Sequence, residues 1–166
     1  MKKIGIIRID RMGDMILTLP IIKALKIKYP NSAIHIFSSN KNYKILKNFK
    51  YVDKIINTDL NLKRNKEKCN YIFNFSPGWK SFFLCLLLKS NNKANIILTS
   101  RYKHKIYSKK LLFTLSKFFF EKTLFINRIE NFKKNKPIHQ TIIMFELLKK
   151  YKIILNKKIN LEKFLP

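Results

Sequence analysis

Acidic residues are scarce in this chain. Nine Asp and Glu stand against 36 Lys and Arg in 166 residues, a formal charge of +27. Such a surface attracts polyanions: nucleic acid, anionic lipid head groups or phosphorylated glycolipid. Five of the basic residues are Arg (Arg8, Arg11, Arg64, Arg101, Arg128) and the other 31 are Lys. Asn, Ile and Phe are abundant too, and all share AT-rich codons with Lys, so base composition accounts for the lysine excess as readily as a partner does. Only three glycines occur. None falls in GxGxxG or GxxxxGK[ST], which excludes a dinucleotide fingerprint and a phosphate loop. The two cysteines, Cys69 and Cys85, have neither CxxC spacing nor a histidine cluster beside them, which argues against zinc and for reduced thiols in a cytoplasmic protein. Long apolar runs are missing as well. The longest uncharged one, Ser81 to Leu88, is far short of the ~20 residues that span a bilayer. The N-terminal apolar run stops at Arg8, too early for a signal peptide.

What remains is a globular composition, 46% hydrophobic, in a length that suits one domain. Strand and helix patterns alternate. Lys3 to Ile9, Ala33 to Phe37, Val52 to Ile56, Tyr71 to Phe75 and Asn95 to Leu98 read as five strands. Between them lie an apolar helical stripe (Ile21, Ile22, Ala24, Leu25, Tyr29), a short helix through Tyr43, Ile45, Leu46 and Phe49, a polar loop over Asp59 to Lys68, and an apolar helix from Trp79 to Lys89. Pro20 either sits in the first turn of the first helix, with Thr18 as cap, or kinks a helix that starts near Asp14. The alternation predicts an α/β fold: a Rossmann-like open parallel sheet with helices on both faces. Leu111 to Phe120 reads as a helix with lysines inside its apolar run, and Ile138 to Tyr151 as a second amphipathic helix. Residues 1–151 form the expected domain, and 152–166 a basic tail or the start of an interdomain linker.

In such sheets ligands bind beyond the carboxyl ends of the strands, so the loops there hold the candidate site residues. Gly13 is expected to let the backbone turn tightly between strand and helix. Asp14 then points into the crevice, where a carboxylate can accept the proton of an attacking hydroxyl. The alternative is that Asp14 caps the helix and favours its dipole. Arg8 and Arg11 either grip phosphate or carboxylate groups of a substrate or pair with Asp10 at the surface. Ser76, Gly78 and Lys80 follow the fourth strand and open a helix, as an anion-binding loop or an ordinary turn. Arg101, in Arg101-Tyr102-Lys103-His104-Lys105, follows the fifth strand as a phosphate contact or a solvated basic loop. His139 starts the last helix as a ligand contact or a cap, and His35, between Ile34 and Ile36, reads as structural. Lys103 to Lys122 interleaves lysines with Leu111, Leu112, Leu115, Phe118, Phe119 and Phe120. That suits an interfacial helix on an anionic membrane, or a core helix with snorkelling lysines.

The run from Ile7 to Pro20 (Ile-Arg-Ile-Asp-Arg-Met-Gly-Asp-Met-Ile-Leu-Thr-Leu-Pro), followed by Ala24-Leu25-Lys26 and Tyr29-Pro30, resembles the N-terminal signature of the glycosyltransferase family 9 heptosyltransferases. Weaker echoes come in order at Tyr71 to Lys80 and His139 to Tyr151. The resemblance implies half of a GT-B enzyme, whose N-terminal domain receives a lipopolysaccharide-core acceptor and whose C-terminal domain binds ADP-heptose. It implies inverting transfer without a metal, with Asp14 as base. It covers essentially all of this chain yet only the first half of such an enzyme. The expectation is therefore an acceptor-binding half, inactive alone: a truncated product, an excised domain, or one half of a split enzyme with a separate donor-binding chain. No cofactor is expected beyond a nucleotide-sugar co-substrate held by a domain outside this sequence. The expected partners are a glycolipid or oligosaccharide acceptor and the anionic inner face of the cytoplasmic membrane. A non-catalytic basic module binding anionic membrane or glycolipid is the alternative. Specific nucleic-acid binding ranks last, since no such motif is present.

Overall fold

A computed structural model describes residues 2–59, 67–102, 106–133 and 139–153. Residues 60–66 of the polar loop expected over Asp59 to Lys68, the Lys103-His104-Lys105 stretch and nearly all of the basic tail lie outside the described residues. In chain order the elements are β1 (Lys3–Arg8), α1 (Met12–Ile16), α2 (Leu19–Lys28), β2 (Ala33–Ser38), α3 (Asn40–Leu46), β3 (Lys54–Asn57), β4 (Tyr71–Asn74), α4 (Trp79–Leu87) and β5 (Asn92–Leu98). A 3₁₀ turn (Thr99–Tyr102), α5 (Ile106–Phe119), β6 (Lys122–Ile126), α6 (Arg128–Lys133) and α7 (Gln140–Lys149) complete the chain.

All six strands are parallel, in the order β3-β2-β1-β4-β5-β6. The expected open parallel sheet is what forms. The chain winds outward from β1 to β3, then returns to the middle and winds the other way from β4 to β6. β1 and β4 therefore flank the point where the winding reverses.

Strand alternation divides the core in two. Ile4, Ile6, Ile34, Ile36, Phe73, Ala94, Ile96 and Leu98 face one layer, where Ile21, Ile22 and Leu25 of α2, Leu46 of α3, and Ile143, Met144, Leu147 and Leu148 of α7 pack. Ile7, Phe37, Ile72 and Ile97 face the other, against Phe82, Leu84 and Cys85 of α4 and Leu112 of α5. Gly5 lies on this second face. A Cβ there would come within 3.1 Å of Cys69 Sγ and 3.2 Å of both Ile72 and Phe37, so the neighbours have grown into the space glycine leaves.

Two features of the chain differ from what the sequence predicts. First, residues 12–28 make two helices and not one. Pro20 sits in the first turn of α2, and Thr18 does not cap it; its Oγ1 donates back to the Asp14 carbonyl at 2.8 Å. Proline's missing N–H suits a first turn, and its ring obstructs continuation of α1. Second, Lys122 to Ile126 is a sixth strand and Arg128 to Lys133 a further helix, neither of which was expected. β6 is an edge strand whose side chains are mostly half-exposed or exposed, so it lacks the apolar run of a central strand. Ile153 is also buried in the first core layer.

Both cysteines are buried and free. Burial pushes the Cys69 thiol up to about 11 and the Cys85 thiol up to about 12. His35 is also buried, with Nδ1 3.4 Å from Glu67 Oε2. Desolvation holds its imidazole below the ordinary value of 6.5, although Glu67 pulls the other way. The unfolded chain therefore takes up this proton at a higher pH than the folded one. The His35 contribution is complete above the unfolded value and is lost as pH falls below it. The melting temperature should decline from about pH 6.5 downward, and His35→Gln should flatten that part of the profile in a pH series of thermal melts.

Candidate active site at the sheet reversal

A cleft of about 380 Å³ opens over the carboxyl ends of the strands, lined by Asp10, Arg11, Gly13, Asp14, Pro77, Leu98, Arg128 and Gln140. Its walls come from the segments after β1, β4 and β6, the end of β5 and the start of α7. This is where a doubly wound sheet leaves a crevice: the loops after β1 and β4 leave in opposite directions.

Arg8, the last residue of β1, is fully buried beneath this cleft. Its guanidinium Nε donates to the Asp14 carbonyl at 3.1 Å, and Nη1 donates to the Phe75 carbonyl. Nη2 lies 3.2 Å from Asp14 Oδ1, and Nη1 lies 3.5 Å from Asp10 Oδ2. One planar cation thus ties the first turn to the end of β4 and orients both carboxylates. The Asn42 side chain, also buried, donates to the carbonyls of Arg8 at 3.2 Å and Asp10 at 3.1 Å. Ser76 Oγ accepts from the Ile9 N–H at 2.9 Å. The polar turn is therefore held from below and from both sides, and the Asp14 side chain keeps 34% of its surface open.

The expected site residues fall into two groups. Asp10, Arg11, Gly13 and Asp14 come together on the cleft wall. Arg8 and Ser76 lie beneath it as supports. Gly78 and Lys80 do not line it: Gly78 precedes α4 and its N–H faces Ser81 Oγ and the Ser76 carbonyl, while Lys80 pairs with Asp59 at 2.9 Å. His139 caps α7, with Nδ1 accepting from the Thr141 N–H. Arg101 lies in the 3₁₀ turn after β5, and its side chain is outside the described residues.

Gly13 corrects one expectation. It sits inside α1 with no left-handed φ, so the turn does not require glycine. A Cβ there would meet nothing within 4 Å, because it would project into open space. What the missing side chain does is keep the cleft wall flat beside Asp14.

Two cleft residues escaped the sequence reading. Arg128 comes after β6 and donates from Nη2 to Oε1 of Gln140, the first residue of α7. It supplies a second arginine across the cleft from the β1 turn. The signal was the short run Thr123-Leu124-Phe125-Ile126, rich in β-branched and aromatic residues; read as a strand, it would have put Arg128 at the carboxyl rim with the others. Among the described residues no group of three or more His, Cys, Asp or Glu side chains is placed to hold a metal ion. The arrangement instead offers two carboxylates for hydroxyl groups, with arginines at the edges for anionic ones.

Among solved structures, a family 9 glycosyltransferase from Veillonella parvula superposes with a TM-score of 0.68 at 16% identity, over 96% of this chain and 43% of that one. The fold is that of about half of a family 9 glycosyltransferase. The E. coli heptosyltransferase WaaC, in structures with ADP and with ADP-2-deoxy-2-fluoro heptose, gives a TM-score of 0.66 at 14% identity over 95% of this chain. The chain spans about half the length of each of these heptosyltransferase structures (49% and 50%). The GT-B glycosyltransferase half expected from the first strand and turn is thus matched in architecture. No protein-family model and no curated protein matches the sequence.

Two outcomes test the packing around this cleft without substrate. Gly13→Ala should raise stability by up to ~1 kcal/mol, since alanine suits a helix better and meets no neighbour, whereas Gly5→Ala should lower it; urea denaturation separates the two. Arg8→Met should cost about 3 kcal/mol in the same assay, because it strips a buried cation from two carboxylates and two carbonyls.

Proposed function

We propose that this domain is the acceptor-binding half of an inverting, heptosyltransferase-like glycosyltransferase, with Asp14 as its base. The observation that carries the reading is the Asp14 carboxylate: it is fixed by buried Arg8, yet lines an open cleft at the sheet reversal. In the proposed reaction an acceptor hydroxyl lies against Asp14 and gives up its proton to the carboxylate as its oxygen attacks the anomeric carbon. The bond from that carbon to the diphosphate breaks on the opposite face, the nucleotide diphosphate leaves with the bonding pair, and the configuration inverts.

Arg11 and Arg128 flank the cleft and suit phosphate or carboxylate groups on the acceptor. Asp10 is placed to accept hydrogen bonds from its hydroxyls. That pattern fits an anionic glycolipid or oligosaccharide of the lipopolysaccharide-core class. The ADP-2-deoxy-2-fluoro heptose in the WaaC structure supports an ADP-heptose-like donor. The donor would be held by a second domain in the same or another chain. Closure of two domains supplies much of the positioning in such a transfer, so this half alone should bind acceptor without transferring sugar.

A second reading, a non-catalytic module on anionic membrane or glycolipid, draws on the lysine excess. The two readings part at Asp14. When a donor-binding half is supplied together with an ADP-heptose donor and a core oligosaccharide, Asp14→Asn should slow transfer by roughly 10²–10⁴-fold with little change in acceptor affinity. Product formation followed by mass spectrometry gives the rate, and calorimetric titration gives the affinity. Undiminished transfer by the variant would remove Asp14 from the role, whereas no transfer by the wild type with binding to anionic vesicles retained would favour the second reading.

A further inference from the structure

Helix α5 carries aromatic side chains on the wrong face for a core helix. Leu112 and Ser116 are buried, and Phe120 just beyond the helix joins the same layer. Tyr107, Leu111 and Phe118 are separated by four and seven residues, so they form a single stripe, and that stripe points away from the sheet. Tyr107 is 89% exposed and Phe118 80%. Lys109, Lys110 and Lys117 are exposed on the same helix, and there is no acidic residue from Ile106 to Phe120.

The neighbouring helix also exposes apolar side chains. α4 and α5 cover the same side of the sheet, in contact through Phe82 and Phe120, whose ring centroids are 5.0 Å apart. On α4, Phe83 and Leu87 lie one turn apart, and Leu87 is 74% exposed. Core packing with snorkelling lysines does not account for this pattern, because these side chains are not in the core.

We propose that the outer face of α4 and α5 docks on the surface of an anionic bilayer, with Tyr107, Leu111, Phe118 and Leu87 entering the headgroup boundary and the lysines meeting the lipid phosphates. Charge selects this occupant. A second copy of the chain would bring the same lysines face to face with no acidic residue on α5 to answer them. Leu87 and Leu111 contribute aliphatic area that cannot stack on nucleobases, which favours lipid over nucleic acid. Lysines around an exposed apolar stripe are what an interfacial helix needs. The topology adds a consequence. α5 starts from the carboxyl rim of the sheet, just after the 3₁₀ turn that succeeds Leu98, and Leu98 lines the cleft. A bilayer held by α5 would therefore lie beside the cleft mouth. The docking itself does not depend on the glycosyltransferase reading and is tested without sugar.

The test is co-sedimentation of the full chain with vesicles of phosphatidylcholine, alone or with about 30 mol% phosphatidylglycerol. The wild type should bind only the anionic vesicles, less tightly as salt rises. The double variant Tyr107→Ser/Phe118→Ser should lose binding about tenfold or more. Ile27→Ser, which removes an exposed apolar side chain from α2 on the other side of the sheet, should change nothing. A second measurement uses the Phe118→Trp variant: the emission of the introduced indole should shift to the blue on anionic vesicles only. Equal binding by the double variant, equal binding to neutral vesicles, or an unmoved indole spectrum would overturn the proposal. So would self-association of the wild type that the double variant abolishes, or a DNA oligonucleotide that binds through the same two residues in place of vesicles.

Discussion

The site depends on one buried cation. Arg8 has no contact with solvent, yet it reaches the backbone of two segments and the side chains of two acids. A charge so placed is tolerated only when it is paired, and here two carboxylates and two backbone carbonyls answer it. The dependence runs both ways. The turn offers Asp10 and Asp14 at short range because Arg8 lies beneath them, and Arg8 can be buried because they do. Removing it would damage fold and site together, which makes Arg8 a positioning residue and not a ligand contact.

The second constraint is topological. Parallel strands must be joined by crossovers, and reversal of the winding direction between β1 and β4 leaves the loops at their carboxyl ends splayed apart. The cleft is the space between them. Its chemistry comes from short segments with little else in common: four residues after β1, Pro77 after β4, the end of β5, Arg128 after β6 and Gln140 of α7. A single acidic side chain in such a place has access to a substrate and a rigid support at once. The same topology sends α4 and α5 to one side of the sheet, where both expose apolar side chains.

Much of the architecture was legible in the sequence. The central strands are short apolar runs bounded by turn residues, a pattern that survives in any tertiary context because both of their faces are covered. The β1 turn was legible for the same reason: a cluster of charged residues right after a buried strand marks a loop. Elements at the periphery were harder. β6 has one paired neighbour and half-exposed side chains, so its pattern is weak, and missing it hid Arg128. Gly13 misled because glycine suggests a strained turn, whereas here it sits inside α1 and faces open space.

The sequence by itself determined the fold class, the position of the carboxyl-end loops, and the first-turn cluster Asp10, Arg11, Gly13 and Asp14. Local periodicity carries that information, since burial imposes it along the chain. Only the tertiary structure decided which loops meet, that Arg8 lies beneath the cleft while Arg128 closes its far side, that Lys80 and His139 are engaged elsewhere, and that α5 turns Tyr107 and Phe118 outward. The physical reason is that these facts depend on the strand order and on which helix face meets the sheet. Both are fixed by contacts between residues far apart in the chain, which no local pattern records.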